Sequence, residues 1–448
     1  MIHCFAVDDV KLALDVYSGA LHVLDDVAYA ILTGEVEGFS AEELGEARAE
    51  LDSLAAMGQL FSEPSPDEHE ADIAFTRERP QLVKALCLHI AHDCNLRCVY
   101  CFAGEGNYGQ ISRTRMSAKT GKRAIDFLLA NSGTRHNLEV DFFGGEPTIN
   151  FDTVKAIVEY ARVEEAKVGK NIRFTLTTNG LLLDDDKINY INRHMDNVVL
   201  SLDGRKEVND RMRKFPGASL ACYDAVVPKI KMLIKARRHQ NYYIRGTYTR
   251  ENLDFANDVL HMADLGFEQL SVEPVIAAPD APYSIRREDI PALCREYERL
   301  AIEIDARADS KSNFFNFFHF MLDMENGPCA AKRITGCGAG TEYLAVTPEG
   351  DFYPCHQFVG DGEFCLGNLE SGLLNKDWQA KFAYCNVHTK PECLDCWAKF
   401  FCSGGCAANA YYLNGDIMKP DAIGCELQKK RLECALYLYA RKTERGVE

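Results

Sequence analysis

Hydrophobic and polar residues alternate at the start of the chain. Phe5-Ala6-Val7 and Lys11 to Val16 are separated by Asp8-Asp9, and Tyr17-Ser18-Gly19 turns into Ala20 to Leu24. A period of two broken by turn residues predicts a small meander of short strands. Asp25-Asp26 can cap a helix over Val27 to Leu32, and Ser40 with Glu43 makes a capping-box pattern before a longer helix through Leu51, Leu54 and Met57, stopped by Gly58. Glu63 to Glu70 is polar, carries Pro64 and Pro66, lacks periodicity and reads as a linker. From Leu82 the pattern becomes strand, loop, helix, repeated. The predicted strands are Val83 to Ile90, Leu138 to Phe143, Ile172 to Thr177, Val198 to Leu202, Tyr243 to Thr247 and Leu270 to Val275. Apolar residues at three-and-four spacing, such as Val154, Ile157, Val158 and Ala161, mark helices between them. Alternating strand and helix means an α/β fold with a parallel sheet.

Length and charge narrow the setting. A chain of 448 residues holds two or three domains and buries a substantial core. The N-terminus, Met1-Ile2-His3-Cys4, lacks the charged and apolar regions of a signal peptide, and no apolar run approaches a membrane span, so a cytoplasmic protein with no membrane partner is expected. The net charge of -17 argues against nucleic acid, whose phosphates it would repel. Eighteen cysteines in a large cytoplasmic chain with clustered C-x2-C spacing point to metal rather than disulfides. Cys4, Cys87, Cys222, Cys294, Cys365, Cys385 and Cys434 fit no cluster spacing, and Leu86-Cys87-Leu88 suggests a buried small hydrophobe.

The candidate chemistry centres on Cys94-Asn95-Leu96-Arg97-Cys98-Val99-Tyr100-Cys101-Phe102, directly after the apolar run Leu82 to Ile90. Three thiolates fill three corners of a four-iron cluster and leave one iron open for chemistry. Zinc would want a fourth Cys or His at close spacing, and His92 sits too near Cys94 to close a tetrahedron. The C-x3-C-x2-C spacing, with an aromatic before the third cysteine, resembles the radical S-adenosylmethionine (SAM) superfamily. That resemblance implies a partial (β/α)6 barrel of the TIM type with its chemistry on loops at the C-terminal strand ends. It also implies SAM chelated on the open iron and a 5'-deoxyadenosyl radical formed when the reduced cluster cleaves it.

Other strand ends extend the resemblance. Phe142-Phe143-Gly144-Gly145-Glu146-Pro147 is similar to the family's GGEP motif, in which Gly144 and Gly145 let the backbone approach the methionine part of SAM and Glu146 accepts from its ammonium. Alone, these residues would be a glycine turn with a solvated Glu. By resemblance Asn179 and Ser201, in Thr177-Thr178-Asn179-Gly180 and Ser201-Leu202-Asp203-Gly204, reach the ribose and carboxylate. Arg213 is a partner for the carboxylate, and Tyr100 and Phe102 flank the adenine. Asn-Gly and Asp-Gly are also ordinary turn dipeptides, and the two aromatics could be simple core.

Cysteines return near the C-terminus as Cys337, then Gly350 to Cys355, then Cys393-x2-Cys396-x5-Cys402-x3-Cys406, then Cys425. Their order is similar to the seven-cysteine SPASM extension of radical SAM enzymes, although Cys393 and Cys396 alone would suit a zinc ribbon. The resemblance assigns Cys337, Cys355 and Cys406 to a first auxiliary cluster and Cys393, Cys396, Cys402 and Cys425 to a second. The implied cofactors are thus SAM and three 4Fe-4S clusters. The first auxiliary cluster has three thiolates unless Cys329 is its fourth.

The opening Met1-Ile2-His3, Leu14-Asp15-Val16 and Ala20 to Asp25, with Gly338 to Tyr343 and Tyr353-Pro354-Cys355-His356-Gln357, resemble the maturases of SCIFF (six-cysteine-in-forty-five) peptides. Such enzymes link cysteine sulfur to a carbon of another residue in a ribosomally made peptide. The expected organisation is a winged-helix-like recognition element over 1–62, a linker over 63–80, the barrel over 81–310 and a cysteine-rich SPASM domain over 311–448. A plain N-terminal cap remains the other reading of the first segment. The implied partners are a short cysteine-rich precursor bound through its leader, which adds as a strand beside the sheet, and an electron donor such as flavodoxin or ferredoxin. Substrate thiolate on the vacant iron would lie near the acceptor carbon. If Cys329 fills that iron, the cluster would only transfer electrons. The alternative enzyme is an anaerobic sulfatase maturase, which forms formylglycine and has an Asp directly after the cysteine of the G-x4-C element, where this chain has His356. A non-catalytic iron-sulfur carrier would need no SAM ligands, and Gly145 with Glu146 argue against it.

Overall fold

A computed structural model of the chain describes residues 1–64, 72, 74, 82–110, 112–217, 222–237, 241–308, 314–324 and 330–446. Cys329 and most of the expected linker, from Ser65 on, lie outside the described residues.

The N-terminal alternation folds into a separate antiparallel sheet in the order β1 (Ile2–Val7), β2 (Val10–Asp15), β3 (Leu21–Leu24). β1 starts three residues before the alternation suggests, because it pairs along the whole of β2, from Ile2 opposite Asp15 to Val7 opposite Val10. Asp25 caps Asp26–Thr33 by accepting from Ala28 N, and Ser40 with Glu43 closes both bonds of a capping box before Ala41–Ala56. Buried Asp15 accepts from the Tyr17, Ser18 and Ser62 backbone and from the Ser62 hydroxyl, which ties the exit of this segment to its first turn.

The second sheet has eleven strands. Its centre is six parallel neighbours in the order β4 (Ala85–Ala91), β6 (Asn137–Gly144), β7 (Asn171–Thr178), β8 (Asn197–Ser201), β10 (Tyr242–Tyr248), β11 (Gln269–Pro274). The intervening β5 (Arg97–Cys98) and β9 (Arg213–Lys214) pair only with each other. Leu86, Leu88, Ile90, Leu138, Val140, Phe142, Ile172, Phe174 and Leu176 are fully buried in one core with Val154, Ile157, Val158 and Ala161 of the helix Phe151–Val168. Residues between them, including His89, Asp141, Thr175, Ser201, Arg245 and Glu273, fall on the opposite, inner face. This face is polar across the middle of the sheet and forms the wall of a site, whereas Cys87 of β4 lies in a second core with Ala345, Tyr353, Cys355 and Phe358.

The sheet does not stop at the expected boundary at residue 310. β12 (Asn316–Phe317) runs parallel beside β11, and β13 (Tyr343–Val346) runs parallel beside β4 at the other edge. β14 (Asp351–Tyr353), β15 (Gly367–Asn368) and β16 (Gly372–Leu373) continue outward antiparallel. The sheet is open, with β12 and β16 at its ends. The long helix Ala422–Glu444 packs along Ile290–Arg307 through Arg441 and Arg445 on Asp305, and its Glu433 meets His3 of β1 at 2.9 Å. Among the described residues no helix is long and apolar enough to cross a membrane.

Candidate active site

The three-cysteine loop leaves the C-terminal end of β4, and the GGEP loop packs directly against it. A Cβ at Gly144 would sit 2.4 Å from Ala91 O and one at Gly145 2.3 Å from Asp93 O, so only glycine fits. Gly145 N and Glu146 N donate to those same carbonyls at 2.8 and 2.9 Å. The two glycines therefore seat one loop on the other, whatever they offer a ligand.

Glu146 is buried. Its Oε1 accepts from Thr148 N at 3.1 Å, Thr148 Oγ1 at 2.5 Å and Thr178 Oγ1 at 2.7 Å, and its Oε2 from Asn179 N at 2.8 Å. Burial raises its pKa, and the bonds from Asn179, Thr148 and Thr178 oppose that rise. Its carboxylate thus ties the ends of β6 and β7 together. Asn179 Nδ2 donates to Asn95 Oδ1 at 2.8 Å and reaches Cys94 Sγ at 3.9 Å, which places it over the cysteine loop.

Cys98 lies in β5, opposite Arg213 in β9. Arg213 holds Asp203 with two bonds of 3.0 Å, and the same carboxylate accepts from Tyr100 OH at 2.6 Å and Thr247 N at 3.0 Å. Asp203 was legible only as a turn residue, yet it is 0% exposed and anchors both Arg213 and Tyr100. An acid two residues after a strand end, with the basic run Arg211 to Lys214 following it, was the available signal. Ser201 ends β8, half-buried, in register with Arg245. Tyr100 is anchored, whereas Phe102 is 53% exposed and lies 6.2 Å from the Tyr108 ring and 5.6 Å from His356.

His356 comes from the C-terminal segment. It also tilts against Phe143 at 4.9 Å, and its Nδ1 lies 3.4 Å from Tyr343 OH. Across the inner face Arg245 pairs with Glu273 at 2.9 Å. Burial opposes ionisation of Glu273, but Arg245, His319 and Arg431 hold its pKa down to about 2.

The cysteines form three groups. Burial pushes Cys94 up to about 11 and Cys98 to about 12, and Cys94, Cys98 and Cys101 act on one another. Burial raises Cys355, with Cys406 and Cys337 adding to the rise. Burial likewise raises Cys425 to about 12 and Cys393 to about 11, with Cys396 and Cys402 as their neighbours. The buried thiols Cys94, Cys98, Cys355, Cys393 and Cys425 would need a cation to ionise, which iron would supply, so the donor sets suit iron-sulfur clusters. Backbone N–H groups also reach the sulfurs: Gln357 and Phe358 toward Cys355, Asn409 and Ala408 toward Cys406, Gly405 and Gly404 toward Cys402. Among the described residues no three ligands are close enough for a single metal ion, and a four-iron cluster holds its thiolates further apart than one ion does.

Residues 88–259 match the radical SAM superfamily, and residues 337–397 match an iron-sulfur cluster-binding domain, SPASM. The chain is 23% identical over 333 residues to a cysteine-type anaerobic sulfatase-maturating enzyme of Clostridium novyi (strain NT), covering 71% of this chain and 86% of the relative. It is 21% identical over 380 residues to the radical SAM cyclopropyl synthase TigE of Paramaledivibacter caminithermalis, covering 81% and 76%. It shares its fold with Streptococcus suis SuiB bound to precursor peptide SuiA, at a TM-score of 0.56 and 17% identity over 94% of this chain and 98% of that one.

Proposed function

We propose that this chain, in which a match to the radical SAM superfamily is followed by a match to an iron-sulfur SPASM domain, is a radical SAM enzyme that forms thioether cross-links in a short, cysteine-rich precursor peptide of the SCIFF type. A cysteine sulfur of the peptide is joined to a carbon of an acceptor residue. The observation that supports this reading is the meeting of two cysteine groups: His356, beside Cys355, tilts against Phe143 and approaches Phe102 of the three-cysteine loop. A peptide on the polar inner face would lie between them.

When bound at Cys94, Cys98 and Cys101, the cluster and SAM supply the means to remove a hydrogen atom from an unactivated C–H bond. Asn179, Ser201 and the Asp203–Arg213–Tyr100 group line the SAM side, with Phe102 free to cover a ligand. Cys337, Cys355 and Cys406 would hold the first auxiliary cluster, leaving a position that a substrate thiol would fill. Cys393, Cys396, Cys402 and Cys425 hold the second. The N-terminal three-stranded sheet receives the leader, and a flavodoxin or ferredoxin in the cytoplasm supplies electrons.

The test incubates anaerobically reconstituted enzyme, SAM and reductant with a synthetic, leader-bearing precursor peptide of the SCIFF type. Each thioether removes two hydrogens and one alkylatable thiol while keeping the sulfur. Formylglycine formation, favoured by the coverage of the sulfatase-maturating relative, would instead lose the sulfur and leave an aldehyde. An aldehyde product, or no product, overturns the proposal.

A further inference from the structure

The inner face carries a carboxyl that neither cluster nor SAM accounts for. Asp141, on β6, lies opposite Cys87 of β4 and Thr175 of β7. The other acids of this face have cations: Glu139 has Lys84 at 4.0 Å and Glu273 has Arg245 at 2.9 Å. The charge that acts on Asp141 is instead another carboxylate, Glu139. Burial and Glu139 push Asp141 up to about 7, against a hydrogen bond from Thr175. Facing it are Cys87 from β4, Glu139 from its own strand, Thr175 from β7 and Tyr343 from β13.

Cys87 is 1% exposed and shares a hydrogen bond with the Tyr343 hydroxyl, which lies 3.4 Å from His356 Nδ1. Cys87 and Tyr343 are each near enough to both Asp141 and Cys355 to be affected by their charges. A hydroxyl and a thiol can each donate and accept, so the pair can pass a proton without net change.

We infer that Asp141 receives the proton that a substrate cysteine gives up beside Cys355, handed over through the Tyr343 hydroxyl and the Cys87 thiol. This rests on the thioether reading. The substrate S–H bond breaks, both electrons stay on sulfur, and the proton ends on an Asp141 carboxylate oxygen. Tyr343 and Cys87 each gain one proton and lose one, and nothing is oxidised or reduced in the step. A free thiol titrates near pH 8.5, so at pH 7 only about 3% is thiolate; an acceptor that titrates near neutrality removes that limit.

The experiment measures thioether formation against pH for wild type, Asp141→Asn, Asp141→Glu and Thr175→Val, using the peptide of the product assay. Wild type should rise through about pH 7. Asp141→Asn should lose that limb, follow the free thiol range near 8.5 and be about tenfold or more slower at pH 7, recovering by pH 9. Glu should restore a limb near neutrality. Thr175→Val, which removes a bond favouring the ionised form, should move the limb upward while keeping a β-branched residue in the strand. Infrared difference spectra of resting holoenzyme between pH 6 and 8 should show a protonated-carboxyl band that Asp141→Asn lacks. Thioether formed by Asp141→Asn with the wild-type limb and rate, or a band unchanged in that variant, overturns the role of Asp141 alone. No thioether from wild type at any pH overturns the thioether reading and this inference together.

Discussion

Replacing Asp203 by Asn tests the group that ties the three-cysteine loop to β8. Four donors converge on that carboxylate: Arg213 Nε and Nη2 at 3.0 Å each, Tyr100 OH at 2.6 Å and Thr247 N at 3.0 Å. Asn keeps the shape but offers one acceptor oxygen, so at least one donor meets an amide NH2. It also leaves the guanidinium of Arg213, a residue 8% exposed, without its counter-charge. Breaking such a buried pair from one side costs about 3–5 kcal/mol, a large part of the roughly 5–15 kcal/mol that holds a domain folded. Removing both partners, as Asp203→Asn with Arg213→Met, leaves no orphaned charge and should cost less than the sum of the single changes by about 2 kcal/mol or more. Guanidinium unfolding of the anaerobic protein, followed by far-ultraviolet circular dichroism, reads all four corners of this cycle. Additive costs within about 0.5 kcal/mol would refute the argument, because they would mean that Asp203 and Arg213 do not depend on each other.

Changing Cys94, Cys98 and Cys101 together to Ala should abolish SAM cleavage while iron and sulfide analysis finds roughly eight of about twelve irons retained, at four per cluster; complete loss of iron would count against three independent groups. Deleting Met1 to Phe61 should spare SAM cleavage and greatly slow modification of the full-length precursor, and equal rates for truncated and intact enzyme would remove the leader-binding role. Cys329→Ala should keep all three clusters and most cross-linking, and precursor peptide should alter the spectrum of the first auxiliary cluster while a peptide with its cysteines changed to Ser should not. A cluster that falls apart in that variant would make Cys329 a ligand and leave the cluster an electron-transfer role.

Local signals were legible in the sequence wherever a short stretch decides the outcome. The caps at Asp25 and Ser40, the six central strands and the runs of cysteines each depend on residues within a few positions of one another. Pairing across hundreds of residues was not. β12 and β13 are two and four residues long, too short to show a period, and their place beside β11 and β4 comes from the tertiary fold. Glu146 and Asp203 show the same limit within the site. The sequence marks each as an acid at a strand end, but its donors arrive from other strands, Thr178 and Asn179 for one and Tyr100, Arg213 and Thr247 for the other. His356 was visible as a departure from a motif, while its approach to Phe102 depends on β13 lying against β4.

The pairing of β13 with β4 bears on how this protein can be cut. Lys84 N and Ala85 N donate to Glu342 O, and the ladder continues from Tyr343 opposite Ala85 to Val346 opposite Leu88. A fragment ending near residue 310 would strip that partner from β4 and leave a bare row of main-chain donors and acceptors on the strand that leads into Cys94. Raw edges of that kind recruit other chains. A fragment of that length is therefore a poor candidate for excision as a minimal catalyst, and a chimera carrying a foreign C-terminal region has to bring its own strand for that edge.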